Sequence, residues 1–121
     1  MQDISLGVIE ARFADIIWQN APLPSSLLVE KAQEALGWKK STTYTVLKRL
    51  CDKGIFENNG GTVTFKLSRE EFYSLQSQKF VEETFDGSLP AFLAAFTNGK
   101  RLSAEEVDQL RQLVRDYGEE I

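Results

Sequence analysis

Residues 38–54 carry hydroxyl and cationic side chains at spacings that suit a surface for binding nucleic acid. Ser41, Thr42 and Thr45 fall on one side of a predicted helix, beside a group of basic residues. Short hydroxyls exchange hydrogen bonds with base edges in a major groove, and cations neutralise the flanking phosphates. The basic residues of this group are Lys39, Lys40, Lys48 and Arg49. The chemistry predicted for this helix is therefore recognition of a DNA duplex.

The opposite side of the same helix has the spacing of a buried face. Thr43, Leu47 and Leu50 recur at i, i+4 and i+7, which is typical of a helix packed on a hydrophobic core. The same pattern also fits a plain amphipathic helix whose polar side is only solvated. The elements around the helix decide between these two interpretations.

The composition argues against enzyme chemistry. Among the 121 residues there is no histidine, which removes the usual general base and the commonest metal ligand. The single cysteine, Cys51, cannot form an intramolecular disulfide and is either a small buried hydrophobe or a redox-sensitive thiol. The sequence contains no glycine-rich phosphate loop and no recognisable pair of carboxylates. We predict a protein that is not an enzyme and that uses no metal or cofactor.

Charge is distributed unevenly along the chain. Taken as a whole, the net charge of −4 is unfavourable for a DNA-binding protein. Residues 1–67, however, hold eight lysines and arginines against seven acidic residues, whereas residues 68–121 hold six against eleven. Residues 38–53 alone carry five cations and one anion. The positive charge is therefore concentrated in the predicted binding helix, and the acidity belongs to the C-terminal part.

The sequence predicts a cytoplasmic protein. Its length is typical of one domain, or of one domain with a helical extension. No apolar run reaches the length of about 18 residues that a membrane span requires. The N-terminal residues lack the charged and apolar regions of a signal peptide. We therefore expect no membrane insertion.

The order of the predicted elements indicates a winged helix-turn-helix. Helices are predicted at 6–19, 25–36 and 38–53, and short strands at 55–58 and 62–67. Ser25 is expected to cap the second helix, and Gly37 to end it. The residues from Asn58 to Gly61 are typical of a hairpin turn because Asn and Gly tolerate positive φ. The predicted fold class is mainly α with a small β-hairpin, and residues 1–67 form the predicted DNA-binding domain.

A helical region is predicted to follow the hairpin over residues 68–121. Ser68 with Glu71, and Ser103 with Glu106, have the spacing of capping boxes. Because about fifty residues are few for a self-sufficient core, we expect this region to pair with the same region of a second chain. The alternative is that its helices pack on their own winged helix. The apolar residues assigned to dimerisation are Phe72, Tyr73, Phe80, Phe85, Leu89, Phe92, Leu93, Phe96, Val107, Leu110 and Val114.

Three parts of the chain carry a resemblance to the penicillinase repressor family, which includes the methicillin-resistance regulators. They are residues 10–18, residues 38–54 with their Trp, Thr, Leu-x-Arg-Leu and Lys-Gly pattern, and residues 87–96 followed by 102–106. The resemblance covers nearly the whole chain. It implies a homodimeric bacterial repressor with an N-terminal winged helix and a C-terminal helical dimerisation region. Such a repressor binds operator DNA of dyad symmetry upstream of β-lactamase or related genes.

The resemblance also implies roles for residues of the third helix. By position, Ser41, Thr42 and Thr45 face base edges, while the basic residues hold phosphates or the acidic neighbours of their own helix. Trp38 is either an aromatic contact to the DNA backbone or a core residue. Arg49 is either a phosphate contact or a structural ion-pair partner. The competing interpretation of the whole fold is a winged helix that binds protein and has no sequence-specific affinity for DNA.

Two features of this chain depart from patterns found in the family. The predicted wing, residues 58–64, contains no cation, so Asn59 and Thr62 are the side chains expected to donate to phosphates there. The copper-responsive branch of the family carries a cysteine-rich motif near its C-terminus, which this chain lacks. Copper sensing is therefore not expected.

A proteolytic switch is a further implication of the resemblance. In the better-known members, a membrane sensor protease or its effector directs cleavage of the repressor. The matching position here is the bond between Ala95 and Phe96, where this chain has Ala95 and those members have asparagine. The alternative function of this segment is that of a buried amphipathic helix.

Overall fold

A computed structural model describes residues 5–119, in which six helices and three short strands are found. The elements are α1 (Val8–Asn20), β1 (Leu23–Pro24), α2 (Ser25–Leu36), α3 (Lys40–Asp52), β2 (Phe56–Asn59), β3 (Thr62–Phe65), α4 (Arg69–Phe85), α5 (Leu89–Phe96) and α6 (Ala104–Tyr117). The predicted class, a mainly α winged helix-turn-helix followed by a helical region, is confirmed. A first compact unit extends to Lys79, and a second begins at Phe80. The functional boundary predicted after residue 67 stays a prediction.

The predicted hairpin forms the wing. β2 and β3 are antiparallel, and Asn59 is paired with Thr62 around a two-residue turn. The turn residues Gly60 and Gly61 have φ values of +59° and +95°. Glycine adopts such values without strain, which explains why the two strands reverse here.

A third strand, β1, completes the sheet and was not predicted. The strand order is β1-β3-β2, with Leu23 opposite Val63 and Pro24 opposite Thr62. β1 is only two residues long and contains a proline, which is uncommon inside strands because it has no N–H to donate. The sheet therefore joins the segment before α2 to the wing.

Capping residues were predicted correctly for two helices and wrongly for one. Ser68 and Glu71 exchange hydrogen bonds of 3.0 and 3.1 Å, and Ser103 and Glu106 exchange bonds of 2.9 and 3.0 Å, as in capping boxes. Ser25 is not the cap of α2. Pro24 occupies the cap position and Ser25 is the first helical residue, so its hydroxyl is free to bond elsewhere.

The hydrophobic core of the first unit lies between α1, α2, α3 and the sheet, and the first turn of α4 contributes to it. Apolar side chains from all of these elements pack together in this core, and their burial stabilises the winged helix. The side chains exposed by 2% or less are Phe13, Ala14, Ile17, Leu23, Leu28, Ala32, Thr43, Leu47, Leu50, Ile55, Phe56, Val63 and Phe72.

Trp18 ties α1 to the end of the wing and to the start of α4. Its indole N–H donates to the carbonyl of Leu67 at 2.9 Å. Its ring lies 5.2 Å from the ring of Phe56 and 5.4 Å from that of Phe72. Phe72 is only 1% exposed, so its assignment to dimerisation is corrected: the side chain fills the core of its own winged helix. Tyr73 packs on the same cluster but is 36% exposed.

Within residues 5–119, no helix combines the length and the apolar character that crossing a bilayer requires.

Candidate nucleic-acid interface

The side chains of α3 divide into a buried face and an exposed polar face. Thr43, Val46, Leu47 and Leu50 are buried in the core, which fixes the rotation of α3 about its axis. The other side of the helix is therefore turned to solvent. We call this side the polar face of α3, and its exposed residues are Lys39, Lys40, Ser41, Thr42, Thr45, Lys48 and Arg49.

Trp38 lies at the N-terminal end of α3, next to the polar face. Its ring centroid is 4.9 Å from that of Phe13, and it packs against the hydrophobic core. Of the two alternatives for Trp38, the structure favours the core residue over the contact to the DNA backbone. Lys39 follows as the N-cap residue of α3, and its own side chain makes no capping bond. The lysines at this end of α3 are thus exposed beside an anchored tryptophan.

The hydroxyl of Thr45 is already used once inside the helix. Its Oγ1 donates to the carbonyl of Ser41 at 2.9 Å. With the proton engaged there, the oxygen retains lone pairs that accept hydrogen bonds, and the side chain also carries a methyl group. An acceptor and a methyl suit the amino groups of adenine and cytosine and the methyl group of thymine.

Lys48 is paired along its own helix. Its Nζ lies 3.2 Å from Oδ2 of Asp52, one turn later, and the two side chains are 78% and 68% exposed. A pair this exposed contributes little to stability and is readily exchanged for another anion. Lys48 is therefore available to a phosphate.

Arg49 is paired with a residue of another helix. Its Nη1 donates to Oε2 of Glu10 at 3.1 Å, and the Glu10 side chain is only 21% exposed. Nearby, the Nζ of Lys53 donates to the carbonyl of Ser5 at 2.9 Å. The structure thus gives Arg49 the structural ion pair that was one of its two predicted roles, and this pair joins the end of α3 to the start of α1.

The electrostatic environment of Glu10 favours its charged form. Partial burial acts to raise the pKa of Glu10, but hydrogen bonds from the Gly7 N–H and from Arg49 outweigh that effect. The positive charge of Lys53 also acts to lower the pKa of Glu10. The pKa of Glu10 is therefore lowered below its ordinary value, and the carboxylate stays ionised at neutral pH.

Glu10→Gln is expected to lower the free energy of unfolding by about 0.5–1 kcal/mol at pH 7, because the Arg49 pair is partly exposed. Since the pKa of Glu10 is lowered in the folded protein, its contribution to stability is fully present above the ordinary pKa that a glutamate has in the unfolded chain. The contribution is lost as the pH falls through the folded pKa. Urea unfolding between pH 7 and pH 3 should show the difference from the parent protein shrinking toward zero. A difference that does not change with pH would contradict the ion-pair explanation, and Glu30→Gln, on exposed α2 surface, is the charge-matched control.

The wing presents polar side chains beside its glycine turn. Asn59 and Thr62 are both exposed, at the last and first positions of the paired strands. The side chain of Asn58 is engaged, because its Oδ1 accepts from the N–H of Gly61 at 3.0 Å. Residues 58–64 contain no cation, so the wing offers hydrogen bonds and no positive charge.

The second unit leaves its large apolar side chains exposed or half-buried. Within residues 80–119, no side chain is buried. Phe80, Phe85, Phe92 and Phe96 form edge-on or tilted ring contacts with centroids 5.7 to 6.3 Å apart. Two apolar grooves, of about 430 and about 250 Å³, share Leu102 and Leu110. The predicted dimerisation residues that line them are Phe92, Leu93, Phe96, Val107, Leu110 and Val114.

The predicted cleavage position lies in the last turn of α5. Ala95 and Phe96 are both exposed, and Phe96 is 46% exposed. The following residue, Thr97, donates its hydroxyl to the carbonyl of Leu93 at 2.8 Å. Cleavage at this position stays a prediction.

Cys51 lies half-buried near the end of α3. Burial, together with the negative charge of Asp52, raises the pKa of its thiol. A thiol with a raised pKa is protonated at neutral pH and is a poor nucleophile. Of its two predicted roles, the structure favours packing.

The partners of two polar side chains of α3 could not be predicted from the sequence. Glu10 and Arg49 are 39 residues apart, and Tyr44 donates its hydroxyl to Oγ of Ser25, 19 residues away, at 3.0 Å. No spacing rule links residues at such separations. Only the opposite charges of Glu10 and Arg49 hinted at one of the two contacts.

Comparison with known proteins places these features in a family. The sequence profile of the penicillinase repressor family matches residues 6–116. The penicillinase repressor of Bacillus licheniformis is 20% identical over 112 residues, which cover 89% of this chain and 88% of that protein. The methicillin resistance regulatory protein MecI of Staphylococcus aureus (strain Mu50) is 24% identical over 114 residues, covering 87% and 89%. MecI of Mammaliicoccus sciuri is 23% identical over 109 residues, covering 83% and 85%. The chain therefore belongs to the penicillinase repressor family.

Proposed function

We propose that this protein represses transcription by binding operator DNA through the polar face of α3. The observation that carries the proposal is the division of α3 into a buried stripe and an exposed face of hydroxyls and cations. Such a face combines phosphate neutralisation with base recognition. Membership of the family, and relatives named for penicillinase repression and methicillin resistance, support an operon of the β-lactamase type or a related one.

The proposed repressor is a homodimer that binds an operator of dyad symmetry. The large apolar side chains that the second unit leaves exposed support this, among them Leu89, Val114 and Tyr117, because apolar side chains gathered on a surface mark sites of association. In the dimer, two α3 helices would enter successive major grooves about 34 Å apart on one side of the duplex. A single half-site offers few contacts, so affinity depends on joining two of them. Separation of the dimer, by cleavage at Ala95–Phe96 or otherwise, would release the operator.

The proposal is tested by measuring affinity for DNA at two salt concentrations. A duplex enriched by the full chain from a random-sequence pool, here called the selected duplex, is compared with a mixed-sequence duplex by fluorescence anisotropy. Between about 50 and about 200 mM salt, affinity for both should fall steeply because phosphate contacts release counterions. The selected duplex should bind more tightly at both concentrations. A flat salt response, or no enrichment of any sequence, would favour the protein-binding winged helix.

Lys39→Gln and Lys40→Gln are expected to weaken binding to every sequence alike. Each change removes one cation from the exposed N-terminal end of α3. If that cation contacts a phosphate, the slope of log affinity against log salt should fall by about 0.9 for each change. Arg101→Gln removes the same charge from an exposed loop of the second unit and should leave the slope unchanged. A lysine variant that alters the ranking of sequences would contradict the phosphate role.

Thr45→Ala is expected to change which sequences are preferred. Loss of the acceptor oxygen removes discrimination on the order of 1–3 kcal/mol at one base position, while affinity for mixed sequence changes little. Enrichment from a random pool by the variant should therefore relax or shift one position in each half-site. Thr97→Ala is a matched control, because Thr97 also donates to a carbonyl one turn earlier but lies in the second unit. If Thr45→Ala weakens all sequences equally, Thr45 does not read bases.

A further inference from the structure

Tyr44 of α3 is joined to the beginning of α2. Its side chain is half-buried, and its hydroxyl donates to Oγ of Ser25 at 3.0 Å. Ser25 is the first residue of α2 and follows the N-cap residue Pro24, which makes no side-chain capping bond. The hydroxyl of Tyr44 is thus directed to a neighbouring element of the fold, although Tyr44 lies beside residues of the polar face of α3.

Ser25 is joined in turn to the tip of the wing. Its backbone N–H donates to the carbonyl of Gly61 at 2.7 Å. Immediately before it, β1 pairs with β3, with Pro24 opposite Thr62. Two kinds of backbone contact therefore fix the start of α2 against the turn and first strand residue of the wing. Since Tyr44 is attached to the same residue, a continuous chain of hydrogen bonds runs from α3 through Ser25 to Gly61.

We propose that Tyr44 is a positioning residue for DNA binding, whose hydroxyl holds the wing in register with the polar face of α3 through Ser25. This inference rests on the proposed function, since it concerns the geometry with which that surface meets DNA. Asn59 and Thr62 flank the turn that Ser25 holds, so they reach a phosphate only when the tip is at the correct distance from α3. A side chain displaced by about 1 Å from its partner loses much of the binding free energy that it contributes when well placed.

These hydrogen bonds are expected to affect the position of the wing tip more than the stability of the fold. One hydrogen bond between neutral hydroxyls contributes modestly to stability. Leu28 of α2, Leu47 of α3 and Val63 of β3 are buried in the core that these elements share, and their burial is the larger source of stability. Removing the Tyr44 hydroxyl should therefore leave the protein folded, while the wing tip gains freedom relative to α3.

A double-mutant cycle on affinity for the selected duplex tests the inference. The four proteins are the parent, Tyr44→Phe, a wing variant with both Asn59→Ala and Thr62→Ala, and the combination of all three changes. Tyr44→Phe is expected to weaken binding about 3- to 10-fold in the parent background. In the wing variant, the same change should have little further effect, because the contacts that it misplaces are already gone.

Ser25→Ala supplies a second and independent arm. It removes the acceptor of the Tyr44 hydroxyl and should weaken binding as much as Tyr44→Phe does, whereas the two changes together should be no worse than either alone. If Tyr44 instead touches DNA directly, Ser25→Ala will leave the affinity unchanged. Tyr117→Phe is the matched control, because it removes a phenolic hydroxyl from a side chain of the second unit that is 83% exposed.

The outcomes separate this inference from the proposed function. Equal losses from Tyr44→Phe in both backgrounds, or no loss in either, would overturn the positioning role while the parent protein still binds DNA in a salt-dependent way. A parent protein that binds no duplex would overturn the proposed function itself. Urea unfolding of Tyr44→Phe accompanies the cycle. A loss of affinity that disappears when binding is corrected for the unfolded fraction would also overturn the positioning role.

Discussion

Leu110→Asp is expected to convert the proposed dimer into a monomer and to lower the affinity of the protein for the selected duplex by about 100-fold or more. Among the predicted dimerisation residues, only Leu110 lines both apolar grooves of the second unit. A single change at this position therefore places a charge in both grooves. Burying an aspartate in an apolar interface costs several kcal/mol unless it is paired. Loss of the interface leaves each winged helix to bind a half-site alone.

The oligomeric state of Leu110→Asp and its affinity for DNA are the two quantities to measure. Sedimentation velocity reports association, and fluorescence anisotropy reports affinity for the selected duplex and for a duplex with one half-site. The variant should bind both duplexes alike. Asn98→Asp adds the same charge to the exposed segment between α5 and α6 and should change neither quantity. A Leu110→Asp dimer, or a monomer with undiminished affinity, would contradict the proposed coupling of dimerisation to DNA binding.

Phe72→Ala is expected to lower the free energy of unfolding by about 3–5 kcal/mol. The ring is 1% exposed and lies 5.4 Å from the ring of Trp18, so its removal leaves a cavity in the core of the first unit. A loss of that size is a large part of the 5–15 kcal/mol that stabilises a typical domain. Urea unfolding, repeated at several protein concentrations, separates this effect from dissociation of a dimer.

The control for Phe72→Ala is a second phenylalanine of the same unit. Phe65 is 44% exposed on β3, so Phe65→Ala should cost much less. Where folded, Phe72→Ala should associate as the parent protein does, because the ring is directed into its own winged helix. A Phe72→Ala variant of normal stability that fails to dimerise would restore the original assignment of Phe72 to the dimer surface.

Local signals in the sequence predicted most of the fold. Ser68 with Glu71, and Ser103 with Glu106, each lie three residues apart, and a capping box depends on nothing more distant. The glycine turn of the wing is equally local, since the need for positive φ at Gly60 is met by the residue type itself. The buried stripe of α3 followed from periodicity alone.

Features set by distant partners were not predictable in the same way. β1 exists because β3 offers it a free edge, and a Leu-Pro pair carries no strand signal of its own. Phe72 and Phe80 look alike in the sequence, yet one is 1% and the other 51% exposed, because Trp18 covers only the first. The polar residues of α3 assigned to DNA contact are exposed, as predicted. The sequence did not show that Arg49 forms an ion pair with Glu10, because that pair depends on how α1 packs beside α3.

The tip of the wing has a consequence for how the outer part of an operator is read. Its two turn residues, Gly60 and Gly61, have no side chains, so in the proposed complex they offer no side-chain contact that would distinguish one base pair from another. A narrow backbone loop of this kind enters a groove of suitable width more easily than a wider or narrower one. The width of the minor groove varies with base sequence, because A-tracts are stiff and have a narrow minor groove. Sequence preference at the flanks of the operator would then arise from the shape of the duplex, at base pairs that no side chain of the tip contacts.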